Sequence, residues 1–186
     1  MKATGIVRRI DELGRIVIPK EIRKTLKFHE GEPLEIYAYK DEIHLKKYSV
    51  ISNMEETSQN VVSALSEITE KLVLVTDRDT VIATSGKIKD LKGEKLSKDG
   101  YKILIEKKSF AINYKDNIKL IKVTTGDEER FCSQVIVPII SKHGDGLGLI
   151  VLFDVDKSKV IDSTTISFLK FASLLLSKEC DYDKNI

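Results

Sequence analysis

Six basic side chains within the first 24 residues, Arg8, Arg9, Arg15, Lys20, Arg23 and Lys24, are the groups in this 186-residue chain whose types and spacing could do chemistry. That chemistry is electrostatic: guanidinium and ammonium groups a few residues apart present charge and N–H donors to the phosphates of a polyanion. With Lys2 and Lys27 included, residues 1–27 hold eight basic residues against Asp11, Glu12 and Glu21, a net of +5. The complete chain is only +2, so the remainder carries 23 basic against 26 acidic residues, net −3. The positive field therefore reads as local to one end, where it would steer double-stranded DNA to one face.

These side chains need elements to position them. Residues 4–10 and 15–18 are rich in Ile and Val and read as short strands, joined by a turn at Asp11-Glu12-Leu13-Gly14. Pro19 then opens a short helix, with Ile22 and Leu26 one turn apart as its apolar stripe and Lys20, Arg23, Lys24 and Lys27 off it. Beyond Gly31 and Pro33, Leu34, Ile36 and Ala38 alternate with Glu35, Tyr37 and Tyr39 as a half-buried strand does. Lys40-Asp41-Glu42 turns it back into a strand over 43–48. Four short strands and one helix in about fifty residues lie near the lower limit for an independent core. The unit is expected to dimerise by sharing strands.

A boundary falls near Asn53-Met54-Glu55-Glu56, giving an N-terminal domain over 1–52 and a second over 53–186. Helical spacing of Val61, Val62, Leu65, Ile68 and Leu72 predicts a helix over 55–71. Strands follow at 72–76 and 81–84, a helix through Tyr101 and Leu104 capped by Ser97 or Asp99, and strands at 110–114 and 118–124. The strongest hairpin runs from 131–141 to 147–155 around Lys142-His143-Gly144-Asp145-Gly146, with near-continuous apolar runs that imply a central strand pair covered on both faces. A last helix over 163–179, with Ser163 as its N-cap, is apolar on more than one face and could meet a partner subunit as well as the sheet. Helix, strands, helix, strands, helix is an α+β order, not a doubly wound parallel one.

The residue types exclude several functions. Cys132 and Cys180 form no CxxC pair, and His29, His44 and His143 show no metal spacing, so no metal, cofactor or activated thiolate is expected. The glycine-bearing loop at 142–146 lacks phosphate-loop spacing and a following helix, and reads as a hairpin turn. The longest apolar run, at 147–153, is too short for a membrane span, so no membrane partner is expected and the protein reads as cytoplasmic. Thr76, Asp77, Thr84 and Ser85 could line a pocket, but their types favour ordinary turns. No catalytic constellation can be assembled from local motifs, and an enzyme is not expected.

The stretch Met-Lys-Ala-Thr-Gly-Ile-Val-Arg-Arg-Ile-Asp-Glu-Leu-Gly-Arg-Ile-Val-Ile-Pro-Lys-Glu-Ile-Arg-Lys-Thr-Leu, with Leu34-Glu-Ile-Tyr and Ile43-His-Leu-Lys-Lys-Tyr48, closely resembles the AbrB-type swapped-hairpin DNA-binding domain. Val135-Ile-Val-Pro-Ile-Ile and Gly146-Leu-Gly-Leu-Ile-Val-Leu-Phe153 resemble a GAF sensor domain. The first resemblance implies that two chains interleave their hairpins into one small β-barrel. Arg8, Arg15, Arg23 and Lys24 then match the DNA-contacting positions, with Arg9 and Lys20 secondary. Lys24 stands where an arginine is common, keeping the charge without the bidentate fork. Together the resemblances imply a transcriptional regulator, activator and repressor, of late forespore genes in sporulating bacteria. It would be a homodimer through its heads, a homotetramer through its C-terminal helices, and open to an unidentified small-molecule ligand at a GAF-like α/β sandwich.

Two other functions compete. The same N-terminal fold serves antitoxins, which usually end in a disordered acidic tail, whereas residues 55–180 here are patterned as strands and helices throughout. A ligand sensor or ligand-converting domain with no direct role on DNA is the other, and it leaves the basic head without a use.

Overall fold

Alternation of apolar and polar residues produces the first sheet. In the computed structural model, which describes residues 5–26, 28, 30, 34–47, 54–126 and 129–182, β1 (Leu34–Tyr39) and β2 (Glu42–Lys47) pair antiparallel, with Ile36 opposite Leu45 and Ala38 opposite Ile43. Lys40 takes the left-handed turn between them at φ 51°. Upstream, α1 (Lys20–Leu26) starts at the buried Pro19, whose carbonyl accepts from Arg23 N at 2.9 Å. The chain divides into two compact units, Met1–Tyr48 and Ser49–Ile186.

The expected strands at 4–10 and 15–18 are not formed in the single chain; Thr4 lies outside the described residues, and 5–10 and 15–18 carry no ladder. Their turn does form. Gly14, at φ 74°, donates to Asp11 O at 2.9 Å, and Asp11 N donates to Arg15 O at 3.0 Å. A strand needs a neighbour for its N–H and C=O groups, and the flanking segments find none in one copy. Their apolar side chains stand in solvent: Val7 is 85%, Leu13 74% and Val17 72% exposed.

The second unit is a five-stranded antiparallel sheet in the order β4-β3-β7-β6-β5, built from β3 (Leu72–Thr76), β4 (Val81–Thr84), β5 (Phe110–Ile112), β6 (Ser133–Ile140) and β7 (Gly146–Asp154). The predicted hairpin is its centre, with Ile136 opposite Val151 and Val135 opposite Leu152. Because side chains alternate, Leu149, Val151 and Phe153 face one layer while Ile150 and Leu152 face the other. The first set joins Leu74, Ile88, Leu91, Ile103, Leu104 and Val123 in one core cluster, beneath α3 (Lys98–Glu106) and the 3-10 turn Gly86–Leu91. The other face is covered by α2 (Glu55–Thr69) and α4 (Ser163–Tyr182), which bury Val62, Leu65, Leu169, Ala172 and Leu176. Gly148 permits β7 to lie against β3, since a Cβ there would collide with the Thr76 carbonyl oxygen.

Three sequence expectations are corrected. Residues 118–124 form no strand apart from a single bridge between Leu96 and Thr124. A side chain supplies the ladder there: the buried Gln134 accepts from Ile121 N at 3.0 Å and donates to Ile121 O at 2.9 Å. The 110–114 strand stops at Ile112, because Tyr114–Asp116 coil into a 3-10 turn held by Asp116 on Asn113 N at 2.7 Å. The cap of α4 is Asp162, which accepts from Thr165 N at 2.8 Å, and Ser163 lies inside the helix. A carboxylate one residue earlier reaches the orphan N–H groups and complements the helix dipole.

One ion pair is internal. Lys71, between α2 and β3, donates its Nζ to Asp154 Oδ2 at the end of β7, with 9% and 6% of the two side chains exposed. Asp154 Oδ1 also accepts from Asp156 N at 2.9 Å.

Candidate nucleic-acid interface

The six basic residues all lie in the first unit and are all exposed. Lys20, Arg23 and Lys24 stand three and four residues apart on α1, so they share one helix face. Arg23 and Lys24 occupy the last turn, where the carbonyl end of the helix favours cations. Ile22 is half-buried, but Leu26 is 50% exposed, so the expected stripe is only partly covered in one copy. Lys27 lies outside the described residues.

Arg15 is held by its turn. Asp11 Oδ1 accepts from Leu13 N at 3.0 Å and Arg15 N at 2.8 Å, and Asp11 Oδ2 accepts from Arg15 Nε at 2.7 Å. Asp11 thus closes the turn and aims the guanidinium, using one of its five donors. Sequence reasoning placed the turn at Asp11-Glu12-Leu13-Gly14 but missed Asp11 as its organiser; the available signal was an Asp three residues before a glycine. Arg8 and Arg9 sit side by side ahead of this turn, with Arg8 Nη1 3.4 Å from Val7 O.

The same geometry sets a pH response. The Arg15 backbone N–H, followed by its side chain, holds the Asp11 carboxyl below its ordinary value of 3.8. A lowered carboxylate value supports the turn fully above the unfolded value, and that support is lost as pH falls through the folded one. The Leu13 and Arg15 amide signals in a proton-nitrogen NMR titration are therefore expected to move together with a midpoint below 3.8. A midpoint at or above that value would mean that Asp11 does not hold the turn.

In the second unit, the four polar candidates make local structural bonds. Asp77 Oδ1 accepts from Asp79 N and Thr80 N, each at 2.7 Å, which is an Asx turn. Thr76 Oγ1 accepts from Leu149 N at 3.0 Å and Ser85 Oγ from Val73 N at 3.1 Å, while the Thr84 backbone meets the Gln59 side chain. The loop at 142–146 is a hairpin turn, with Gly144 N on Ser141 O at 2.9 Å. Neither Cys132 nor Cys180 is in a disulfide among the described residues, and Cys180 is buried against Met54 Sδ at 3.4 Å. On α4 an outer stripe stands in solvent at spacings of three and four: Phe168 (38%), Phe171 (67%) and Leu175 (38%), with Leu174 beside it. Among the described residues, no helix is long and apolar enough to cross a membrane.

Comparison with known proteins gives each unit its relatives. The family model described as "Stage V sporulation protein T C-terminal, transcription factor" matches residues 53–181. The model "Antidote-toxin recognition MazE, bacterial antitoxin" matches residues 7–52. Stage V sporulation protein T of Bacillus subtilis is 40% identical over 159 residues, covering 85% of this chain and 88% of the relative. The transition state regulatory protein AbrB of the same organism is 60% identical over 48 residues, which is 26% of this chain and half of the relative. The GAF domain of an Acinetobacter phosphoenolpyruvate-protein phosphotransferase superposes with a TM-score of 0.58 at 12% identity, over 76% of this chain and 87% of its own, a likeness in fold alone.

Proposed function

The chain belongs to the stage V sporulation protein T family, and from that premise we propose that it regulates sporulation genes by binding duplex DNA as a dimer through residues 1–52. Arg8, Arg15, Arg23 and Lys24 carry the phosphate and base contacts, with Arg9 and Lys20 beside them. The observation that carries this reading is the state of the head in one copy. Its basic side chains are solvent-facing, and its apolar ones, Val7, Leu13, Val17, Ile36 and Ile43, are each more than half exposed. A second copy interleaving its hairpins would supply the missing ladder partners and cover that apolar surface, leaving the charges outside. Activation or repression then depends on where the dimer sits at a promoter, and the protein acts in the cytoplasm of the forespore, on its nucleoid.

Residues 53–186 form the sensor and oligomerisation domain in this reading, and no catalysis is assigned to them. The outer stripe of α4 has the spacing of a coiled-coil seam, which supports tetramers built through the C-terminal helices. The GAF fold supports a small-molecule ligand that changes head geometry, and its chemical class is open. The antitoxin model covers the head alone. In place of a wrapping acidic tail, residues 54–182 fold as a sheet covered on both faces.

Sedimentation and a DNA titration test the proposal together. The wild-type chain is expected to sediment as a tetramer and Phe171→Glu as a dimer, both binding duplex with an affinity that falls steeply as salt rises. A monomer that binds duplex equally at low and high salt would end this reading.

A further inference from the structure

The charge sum that makes residues beyond the head look acidic conceals a strongly basic layer in the second unit. Residues 86–122 contain eleven lysines and no arginine against five acids, Asp90, Glu94, Asp99, Glu106 and Asp116, a net of +6 that exceeds the head's +5. All eleven lysines are exposed. The fold explains why. The first part of this segment, from the 3-10 turn Gly86–Leu91 through α3, lies over one face of the sheet, and its apolar side chains Ile88, Leu91, Ile103 and Leu104 turn inward, each no more than 4% exposed. Its lysines are left in solvent.

Neutralisation within the layer is slight. Four of the five acids are engaged elsewhere or locally: Asp90 with Arg130 at 2.7 Å, Glu94 with Thr125 Oγ1 at 2.5 Å, Glu106 with Lys102 at 3.8 Å, and Asp116 with a backbone N–H. Among the described residues, only Lys92, on Glu55, and Lys102 of these lysines have an ion pair. The lysines are also gathered. Thr125 N bonds Lys95 O at 2.8 Å, Ser97 N bonds Val123 O at 2.8 Å, and Ser97 Oγ bonds Lys122 O, which brings Lys95, Lys98 and Lys122 to one edge with Lys119 just upstream. The preceding segment, 54–85, has two basic residues against six acids, and one of those bases is the buried Lys71.

We propose that this lysine layer is a second duplex-DNA surface, which grips the phosphate backbone without reading sequence. The composition favours DNA over an acidic protein. Lysine is a point charge suited to phosphate rows, whereas protein interfaces draw their energy from arginine and buried aromatic anchors. The inference rests on the DNA-binding reading of the head, because a duplex held there is at high effective concentration for any other basic surface of the same assembly. The head then supplies position and the layer supplies additional salt-sensitive affinity.

The test uses the full chain and a duplex of about 60 base pairs, with affinity measured from about 50 to 200 mM salt. The variant K95Q/K98Q/K119Q/K122Q changes only exposed side chains and is expected to melt with the wild type. It should lose about 0.9 from the salt slope per phosphate contact removed, and bind roughly tenfold more weakly in mid-range salt. The four-arginine counterpart should bind as the wild type does. The head variant R8A/R23A should retain a residual salt-dependent binding that the combined variant loses. A lysine variant with the wild-type slope overturns the proposal. So does one that keeps its DNA slope but loses affinity for poly-glutamate, which would assign the layer to an acidic protein. Failure of the head reading shows separately, as an R8A/R23A protein that binds like the wild type while the lysine variant does not.

Discussion

Replacing Arg8 and Arg23 together with alanine is expected to weaken duplex binding by about tenfold to a hundredfold at moderate salt, with the fold intact. Both side chains are exposed, so their removal leaves no cavity, and each charged contact to phosphate contributes on the order of 1.5–3 kcal/mol before screening reduces it. A dimer loses the contact twice per residue, so the plot of log affinity against log salt should flatten by about 3 to 4 units at roughly 0.9 per phosphate. The lysine pair R8K/R23K separates charge from geometry. It should keep the slope and lose discrimination between sequences, because the ammonium lacks the planar fork that meets a base edge with two bonds. Wild-type affinity in the alanine protein, read by fluorescence anisotropy, would remove these residues from the interface.

The second large effect is on stability. Lys71→Met leaves the Asp154 carboxyl, 94% covered, without its partner, and breaking a buried pair from one side costs about 3–5 kcal/mol. Urea unfolding of the full chain should show this as a midpoint shift in the transition of the second unit. The double replacement K71M/D154L should recover most of the loss, because an apolar pair of similar volume needs no desolvation to be offset. Recovery stays incomplete, since Asp154 Oδ1 also holds Asp156 N. By contrast, removing the exposed pair of Lys92 with Glu55 should change stability by less than about 1 kcal/mol. Equal losses at the two pairs would show that burial is not what makes the first one matter.

Much of this molecule is legible one segment at a time. Alternation over 34–47, helical spacing over 55–69 and the apolar runs flanking 142–146 lead directly to β1, β2, α2, β6 and β7, because each pattern matches the period of its own element. Legibility fails where a partner distant in sequence decides. Residues 118–124 have a strand's composition, yet the Gln134 side chain takes the bonds a neighbouring strand would have made. Residues 5–18 have a strand's composition as well, yet among the described residues no neighbouring strand pairs with them.

The sequence by itself determined where the basic side chains of the head lie and that an α+β domain comes after it, since charge, type and period are local properties. Only the tertiary structure decided how the remaining charge is arranged. Summed along the chain, everything after Lys27 is slightly acidic. Folded, Ile88, Leu91, Ile103 and Leu104 turn inward, while the eleven lysines of residues 86–122 all stand in solvent. A field depends on where charges sit in space, and a sum over sequence averages that away.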